Sequence, residues 1–390
     1  MTDIKNTGLR GITVASTKIS DVKGDIGKLI YRGYRVTDLA ENTCFEEVVF
    51  LLLYERMPTS NELALLRKDL ALKGNLSQGM IQALSAMPKT ALPMDVLQAG
   101  ISMVANDDEN ILKEDRGANE QMALNLVAKT SSLVAAWDRI RNGQQPLQPK
   151  PELSHAANFL YMLKGEVPDS ELEGFFDTCL VLHAEHSFNA STFTARQIAS
   201  TQAHMYASVS GAVGSLSGAL HGGANTRVMA MLKSIGSMDK VDGYIEAELN
   251  AGRKVMGLGH AVYKVDDPRA LILAPMSKKM GERTGETKWY DMSRALEINA
   301  KKAFKEKKNL DIFVNVDFYS ASLYYSMGIP MDLFTPVFAV SRISGWCAHV
   351  LEEKFAEAAP KPMLYRPKAE YVGEYCGPEE CDYVDIDDRD

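Results

Sequence analysis

The sequence has no excess of positive charge and no long apolar run. Its 43 Lys and Arg residues are outnumbered by 51 Asp and Glu residues, giving a net charge of −8 with His neutral. Without a basic excess, counterion release cannot drive strong binding to a polyanion, so a nucleic-acid partner is disfavoured. The longest apolar run, residues 48–54, is far shorter than the roughly 20 residues that span a bilayer. We therefore expect neither a nucleic-acid partner nor a membrane span.

The sequence also has few cysteines. It has five scattered cysteines, at Cys44, Cys179, Cys347, Cys376 and Cys381. An odd, scattered set predicts reduced thiols, and the first residues lack the basic-then-apolar order of a signal peptide, so we expect a cytoplasmic protein. No second Cys or His pair follows Cys376 and Cys381, which disfavours a zinc site there.

What the 390 residues do contain is helical periodicity. A capping box at 59–62 opens one helix, apolar residues recur at helical spacing over 118–141, and Ser170-x-x-Glu173 predicts the cap of another helix. Strand signals are confined to 29–31 and 12–14. The length suggests two or three folding units. We expect a mainly α protein with a minor N-terminal β-hairpin.

Among the seven histidines, His221 has the most informative neighbours. Gly222 and Gly223 follow it, and a new helix is predicted from residue 224. A helix N-terminus disfavours imidazolium, and a neutral imidazole there can donate a hydrogen bond to an oxygen that gains charge. A turn in which the histidine only caps the helix is an equal alternative. We expect His155, His204 and His349 to pack or to lie on the surface.

His260 ends a Gly-Leu-Gly-His loop. A dinucleotide-binding interpretation is weak, because the third glycine and a preceding strand are missing. Downstream, Asp267 and Pro268 predict a helix start that holds Arg269 in the first turn. A fixed guanidinium near a histidine suits a carboxylate ligand, although a surface arginine would explain this motif alone.

Asp317 stands between apolar and aromatic residues in Asn-Val-Asp-Phe-Tyr-Ser. Burial there would raise its basicity, whereas an ordinary helix cap over 319–327 is the alternative. The segment 183–186, His-Ala-Glu-His, lacks the downstream Cys-x-x-Cys of zinc deaminases, and no His-Glu-x-x-His is present. A metal-dependent hydrolase using His183, His186, His221 or His260, and a helical binding protein without activity, stay open as alternatives.

The order of the motifs is more informative than any one of them. They are His-Ala-Glu-His-x-x-Asn-Ala-Ser-Thr (183–192), Leu-His-Gly-Gly-Ala-Asn (220–225), Gly-Leu-Gly-His-Ala-Val-Tyr-Lys…Asp-Pro-Arg (257–269), Asn-Val-Asp-Phe-Tyr-Ser (315–320), Ser-Arg-Ile-Ser-Gly-Trp (341–346) and Tyr-Arg-Pro-Lys (365–368). Together they resemble the citrate synthase family, in family order and over nearly the whole chain. Two departures are Glu185, where many relatives have Asp, and Val314, directly before Asn-Val-Asp, where many have Pro.

The resemblance implies condensation of acetyl-CoA with oxaloacetate and water to give citrate and CoA. By the family pattern, Asp317 is the base, His221 donates to the thioester oxygen, and His260 polarises the keto group of oxaloacetate. The residues implied for oxaloacetate binding are His186, Arg269, Arg342 and Arg366. The resemblance also implies that Arg366 comes from a neighbouring subunit, so a homodimer is expected.

For the CoA thioester, a co-substrate, the resemblance implies a loop whose backbone groups meet the adenine. The residues in question are Val255, Met256, Gly257, Leu258 and Gly259. Lys308, in the lysine run at 301–308, could meet the phosphates, although a solvated helix face explains that run equally well. No metal and no tightly bound cofactor is expected. The nearest alternative is a 2-methylcitrate synthase using propionyl-CoA, although Phe318 and Tyr319 slightly favour acetyl-CoA.

The family fold implies two helical domains that close over the substrates. The large domain is expected at 1–221 and 323–390, with the dimer contact and the oxaloacetate site. The smaller domain, inserted at 222–322, would form a lid over CoA. Closure would exclude water before the thioester arrives.

Overall fold

A computed structural model describes residues 8–9, 11–259, 262–373 and 380–389. Over these residues the chain forms sixteen α-helices and one small antiparallel sheet. The predicted mainly α fold is therefore confirmed.

The helices are α1 (Val36–Asn42), α2 (Phe45–Tyr54), α3 (Ser60–Lys73), α4 (Gln78–Ala86), α5 (Pro93–Val104), α6 (Arg116–Arg141), α7 (His155–Lys164), α8 (Ser170–His183), α9 (Ala190–Ala199), α10 (Met205–Ser217), α11 (Ala224–Ile235), α12 (Val241–Asn250), α13 (Pro268–Thr284), α14 (Lys288–Lys308), α15 (Val316–Ser326) and α16 (Phe334–Lys354).

The sheet has three strands in the order β1 (Ser20–Lys23), β2 (Lys28–Tyr31) and β3 (Tyr34–Arg35). The strand predicted at 29–31 is confirmed within β2. The strand predicted at 12–14 is wrong, because β2 pairs with the segment just before the turn at 24–27, with Ser20 opposite Tyr31. Gly27 closes that turn with a φ of 61°, a left-handed conformation that glycine adopts without strain.

Local capping signals explain where several helices begin. The Thr59 side chain accepts from the Glu62 N–H and Glu62 reaches back, as the capping box predicts. Asp267 caps α13, with Pro268 as its first residue. The cap predicted at Ser170 is wrong by one residue: the Asp169 carboxylate accepts two backbone N–H groups of α8.

Helix α16 lies at the centre of the molecule. Every one of its residues except Phe338 is buried, as expected for a helix surrounded by other helices rather than lying on the surface. It packs on α6, α9 and α10, and it carries Arg342. A residue on α16 is therefore held from several sides.

A second group of helices is built around α15. Helices α11 and α13 both pack on α15, and α12 packs on α14. The group begins close to residue 222, where the smaller domain is predicted to start. The predicted end at 322 falls within α15. The division into two domains stays a prediction.

The cysteines only partly follow the expectation of reduced thiols. Cys44, Cys179 and Cys347 are free, and the last two are buried. The expectation is wrong for Cys381, which is disulfide-bonded. Cys376, considered for a zinc site, lies outside the described residues.

Candidate active site

A cleft of about 1710 Å³ collects side chains from distant parts of the chain. Five of the residues predicted for catalysis or oxaloacetate binding line it. They are His186, His221, Arg269, Asp317 and Arg342. Because they come from five separate segments, only the tertiary fold brings them together.

His221 lies in the turn between α10 and α11, with its imidazole half-buried. Its Nε2 accepts a hydrogen bond from the backbone N–H of Ser191 at 3.1 Å. A nitrogen that accepts carries no proton, so the neutral ring carries its hydrogen on Nδ1. Burial, together with the smaller effect of the Arg342 charge, lowers the pKa of His221 to about 4. The ring is therefore a neutral donor through Nδ1.

Ser191 is itself fixed, so the orientation of His221 is fixed with it. The Ser191 hydroxyl donates to Oδ1 of Asn189 at 2.8 Å and accepts from the indole N–H of Trp346 at 3.1 Å. It also lies 2.8 Å from Nε2 of His221. The motif at 183–192 contains Ser191, but nothing in the sequence alone assigns it this task.

Asp317 lies in the first turn of α15, and Asn315 rather than Asp317 caps that helix. The Asn315 side chain accepts from the Asp317 N–H at 3.1 Å. The alternative of Asp317 as a structural cap is therefore wrong, and its carboxylate accepts no hydrogen bond from the described residues. Burial raises the pKa of Asp317 to about 6, while Arg269 has the largest opposing effect. A carboxylate with a raised pKa is a stronger base.

Two buried guanidinium groups face the same cleft. Arg269 is held by Asp267 through two hydrogen bonds, from Nε at 3.0 Å and from Nη2 at 2.7 Å. Arg342 donates from Nε to the His183 carbonyl at 2.7 Å, and within the described chain it has no carboxylate partner. Burial lowers the pKa of Arg342 to about 10. A buried cation without a counter-ion is costly, so this position favours an anionic ligand.

His186 follows the buried Glu185 and stands at the edge of the cleft. Its Nε2 lies 3.3 Å from the Tyr263 hydroxyl, and the two rings meet edge to face at 71°. Tyr263 is a contact that the sequence analysis did not identify.

The loop at 255–259 forms one wall of the cleft. All five predicted CoA-binding residues of the loop, Val255, Met256, Gly257, Leu258 and Gly259, line it. Backbone hydrogen bonds join the loop to the segment before α15, from Asn315 to Gly257 at 3.0 Å and from Gly259 to Phe313 at 2.7 Å. At Gly257, a Cβ would lie 2.6 Å from the Phe318 ring, so only glycine fits against α15.

Three predicted site residues are not placed in this cleft. His260 lies outside the described residues. Lys308 is exposed at the end of α14 and does not line the cleft. Arg366 is exposed on the extended segment after α16 and also lies outside the lining. Their assigned roles stay predictions.

Two cleft residues were given no role in the sequence analysis. Asn225 is buried and its amide nitrogen has no hydrogen-bond partner within the described chain. Arg227 lines the cleft, and its charge lowers the pKa of Asp317. The available signal was their position in the first turn of the helix that follows His221.

The described residues also show the surroundings of other histidines and of possible metal ligands. Within the described ranges, no group of three or more His, Cys, Asp or Glu residues is arranged to hold a metal ion. His155 is buried, and His204 caps α10 by accepting from the Ala207 N–H. No helix in the described part of the chain is both long and apolar enough to cross a bilayer.

The cleft thus combines a carboxylate with a raised pKa, a neutral imidazole and two buried cations. These groups can perform acid–base chemistry on an anionic ligand, as in an enzyme active site. Comparison with known proteins gives the particular family. A family model described as "Citrate synthase, C-terminal domain" matches residues 8–368. The chain belongs to the citrate synthase family.

Individual relatives agree with this result. The chain is 44% identical to a citrate synthase of Haloferax volcanii, over 98% of each protein. It is 38% identical to a 2-methylcitrate synthase of Shewanella oneidensis, over 96% of this chain and 97% of that protein. It is also similar to the solved ternary complex of carboxymethyl coenzyme A and oxaloacetate with citrate synthase from Thermoplasma acidophilum. That likeness has a TM-score of 0.87 and 30% identity, and it covers 98% of both chains.

Proposed function

We propose that this enzyme condenses acetyl-CoA with oxaloacetate and water, releasing citrate and CoA. The observation that carries the proposal is that Asp317 and His221 line one cleft with two buried arginines. A structural relative at 30% identity is a complex with a CoA analogue and oxaloacetate. Both substrates are therefore assigned to this cleft.

Oxaloacetate carries two carboxylates, which match the charge of the cleft. Arg269 and Arg342 supply guanidinium groups that grip carboxylates, and His186 lies on the same cleft. Binding of the dianion gives Arg342 the counter-ion that it lacks in the described chain. His260 polarises the keto group in this proposal, on the strength of its motif alone.

The first chemical step removes a proton from the methyl group of acetyl-CoA. Asp317 takes that proton, and His221 donates its Nδ1 hydrogen to the thioester oxygen as negative charge develops there. The enolic carbon then attacks the keto carbon of oxaloacetate to form citryl-CoA. Water cleaves the thioester, releasing citrate and CoA. The roles follow from a raised carboxylate pKa and a neutral imidazole on one cleft.

The CoA portion is assigned to the loop 255–259, where backbone groups meet the adenine, with Lys308 near the phosphates. The lid at 222–322 closes on the large domain at 1–221 and 323–390 once oxaloacetate is bound, which excludes water from the enol. Two chains form a homodimer in which Arg366 reaches the oxaloacetate of the partner. The exposure of Arg366 on its own chain supports this assignment.

A 2-methylcitrate synthase acting on propionyl-CoA is the second candidate, and relatives with that name at 38% identity favour it. Phe318 and Tyr319 do not separate the two candidates, because both are buried and neither lines the cleft. A pocket separates substrates that differ by one methylene by roughly 10- to 200-fold.

The test measures release of free CoA thiol from acetyl-CoA and from propionyl-CoA, each with and without oxaloacetate. We expect oxaloacetate-dependent release with a higher kcat/KM for acetyl-CoA. A higher value for propionyl-CoA would assign the second candidate, and no oxaloacetate-dependent release with either thioester would refute both. Repeating the assay after treatment with a chelator tests the metal-dependent alternative, and we expect full activity to remain.

A further inference from the structure

A continuous chain of polar side chains, buried except for the half-buried residues at its two ends, runs from the loop carrying His186 to the segment carrying Arg366. We call it the buried relay. Its members are Ser20, Glu185, His349, Arg196, Glu352, Glu353 and Tyr365. Neither the acid–base chemistry nor the substrate contacts proposed above use it.

The near end of the relay holds the loop on both sides of His186. The Ser20 hydroxyl donates to Oε1 of Glu185 at 2.9 Å and accepts from the Ser187 N–H at 3.1 Å. Tyr31 donates from its hydroxyl to the Glu185 carbonyl at 2.9 Å. The residues immediately before and after His186 are therefore tied to the N-terminal sheet.

His349 forms the centre of the relay, and the structure sets its tautomer. Its Nδ1 lies 3.0 Å from Nη1 of Arg196, and its Nε2 lies 2.9 Å from Oε1 of Glu185. A guanidinium group has only donors, so Nδ1 must accept and the proton lies on Nε2. The Nε2 hydrogen is then donated to the Glu185 carboxylate. His349 and Glu185 are both fully buried.

The far end reaches the C-terminal segment. Arg196 donates from Nη1 to Glu352 at 2.6 Å and pairs through Nη2 with Glu353 at 2.7 Å. Glu353 in turn accepts from the Tyr365 hydroxyl at 3.0 Å. Tyr365 directly precedes Arg366, so the last link of the relay anchors the residue next to that arginine.

Helix α16 explains why these groups meet. Arg342, Gly345, His349 and Glu352 recur at intervals of three and four residues, which places them on one face of the helix. A Cβ at Gly345 would lie 2.4 Å from the Ala184 carbonyl and 2.3 Å from Oε2 of Glu185. The glycine allows the loop before His186 to pack directly on the helix that carries the Arg342 cation.

We infer that Glu185, His349 and Arg196 are positioning residues that hold His186 toward oxaloacetate and join this loop to the segment of Arg366. A chain of hydrogen-bonded charges inside a protein fixes orientation, whereas it adds little net stability over apolar packing. The inference rests on the proposed function, because it assigns the relay to oxaloacetate binding. Loss of the hydrogen bonds at either end of the relay is expected to weaken oxaloacetate binding and to leave acyl-CoA binding unchanged.

The test uses two mild variants at the ends of the relay and one pair at its centre. Ser20→Ala removes the hydroxyl that bonds Glu185 and Ser187. Tyr365→Phe removes the hydroxyl that bonds Glu353 and Arg196. His349→Phe breaks both central bonds, while His349→Gln keeps an acceptor and a donor. Ser344→Ala is the matched control, because it removes a buried hydroxyl of α16 whose hydrogen bond goes to Ser341. The end variants keep the test valid if His349→Phe does not fold.

Oxaloacetate affinity is measured by calorimetry on the full-length protein, beside the KM for each substrate and the melting temperature. We expect each end variant to weaken oxaloacetate binding by about three- to tenfold, because each loses hydrogen bonds at one end of the relay. The KM for acetyl-CoA and the melting temperature should match those of Ser344→Ala, and His349→Gln should recover much of the affinity lost in His349→Phe.

Two results would overturn the inference, and they are distinguishable. If the unmodified protein releases CoA and binds oxaloacetate, but the end variants bind it equally well, the relay is only structural and the proposed function stands. If the unmodified protein does not bind oxaloacetate, both the proposed function and the role of the relay are refuted.

Discussion

The backbone N–H of Ser191 donates to Nε2 of His221 across 3.1 Å. A backbone donor cannot rotate away as a hydroxyl can, so this contact fixes both the orientation and the tautomer of the imidazole. The Nδ1 hydrogen remains as the only ring donor, which is what stabilisation of a developing enolate oxygen requires.

Replacing His221 by alanine tests that donor. Loss of one hydrogen bond to a developing oxyanion typically lowers kcat by about 100- to 1000-fold. We expect a fall of this size in His221→Ala, with an oxaloacetate affinity close to that of the unmodified protein. His204→Asn is the control, since asparagine also caps helices and His204 lies outside the cleft lining. Steady-state thiol release measures both variants, and near-normal turnover in His221→Ala would contradict the role.

The pH profile tests the base. Asp317 acts only when ionised, and burial raises its pKa to about 6, so kcat/KM is expected to rise through pH 6 and level off above it. The positive charge of Arg227 lowers the pKa of Asp317. Arg227→Gln should therefore move the rise to higher pH, whereas Arg227→Lys should leave it in place. An acid limb that stays unchanged in Arg227→Gln would show that Arg227 does not act on the base.

Removal of the Arg342 charge should weaken oxaloacetate binding without lowering the stability of the protein. Within the described chain this buried cation lacks a carboxylate partner, so an apolar replacement removes an uncompensated charge. We expect Arg342→Met to weaken oxaloacetate binding at least about 100-fold, while the melting temperature without ligand stays equal or rises. Arg56→Met, at an exposed position, should change neither. A large drop in melting temperature with retained affinity would assign Arg342 to structure alone.

A methyl group at Gly345 should disturb the loop that precedes His186. The added Cβ meets the Ala184 carbonyl at 2.4 Å, a contact that helix or loop must move to relieve. We expect Gly345→Ala to cost about 1–3 kcal/mol of unfolding free energy and to weaken oxaloacetate binding. Gly174→Ala, on the exposed side of α8 with open space around it, should instead gain up to about 1 kcal/mol. Denaturant unfolding measures both, and equal stabilities would contradict the packing argument.

Features of the fold that depend only on residues close together in the sequence could be predicted from it. The caps at Thr59 and Asp267 need only a side chain and the backbone a few residues away. Whether residues 12–14 form a strand could not be predicted from neighbouring residues, because a strand must pair with a segment elsewhere in the chain. The segment 20–23 pairs with β2, because a tight turn brings the two segments side by side.

The site shows the same division between local and distant signals. His221, Arg269 and Asp317 stand in motifs with unusual local chemistry, and the structure places all three on one cleft. The part played by Ser191 depends on a hydrogen bond across thirty residues, and that of Glu185 on a partner 164 residues away. Hydropathy and spacing contain no information about such contacts. Arg227 was missed for a related reason, since only the folded chain sets its charge near Asp317.

In the proposed reaction, Asp317 removes the methyl proton of acetyl-CoA in a cleft that has bound oxaloacetate. The most direct measurement compares the unmodified protein with Asp317→Asn, which keeps the size and loses the base, by following oxaloacetate-dependent thiol release and oxaloacetate affinity together. We predict that Asp317→Asn binds oxaloacetate but releases CoA at least about 100-fold more slowly. Thiol release by Asp317→Asn at the rate of the unmodified protein would contradict the claim.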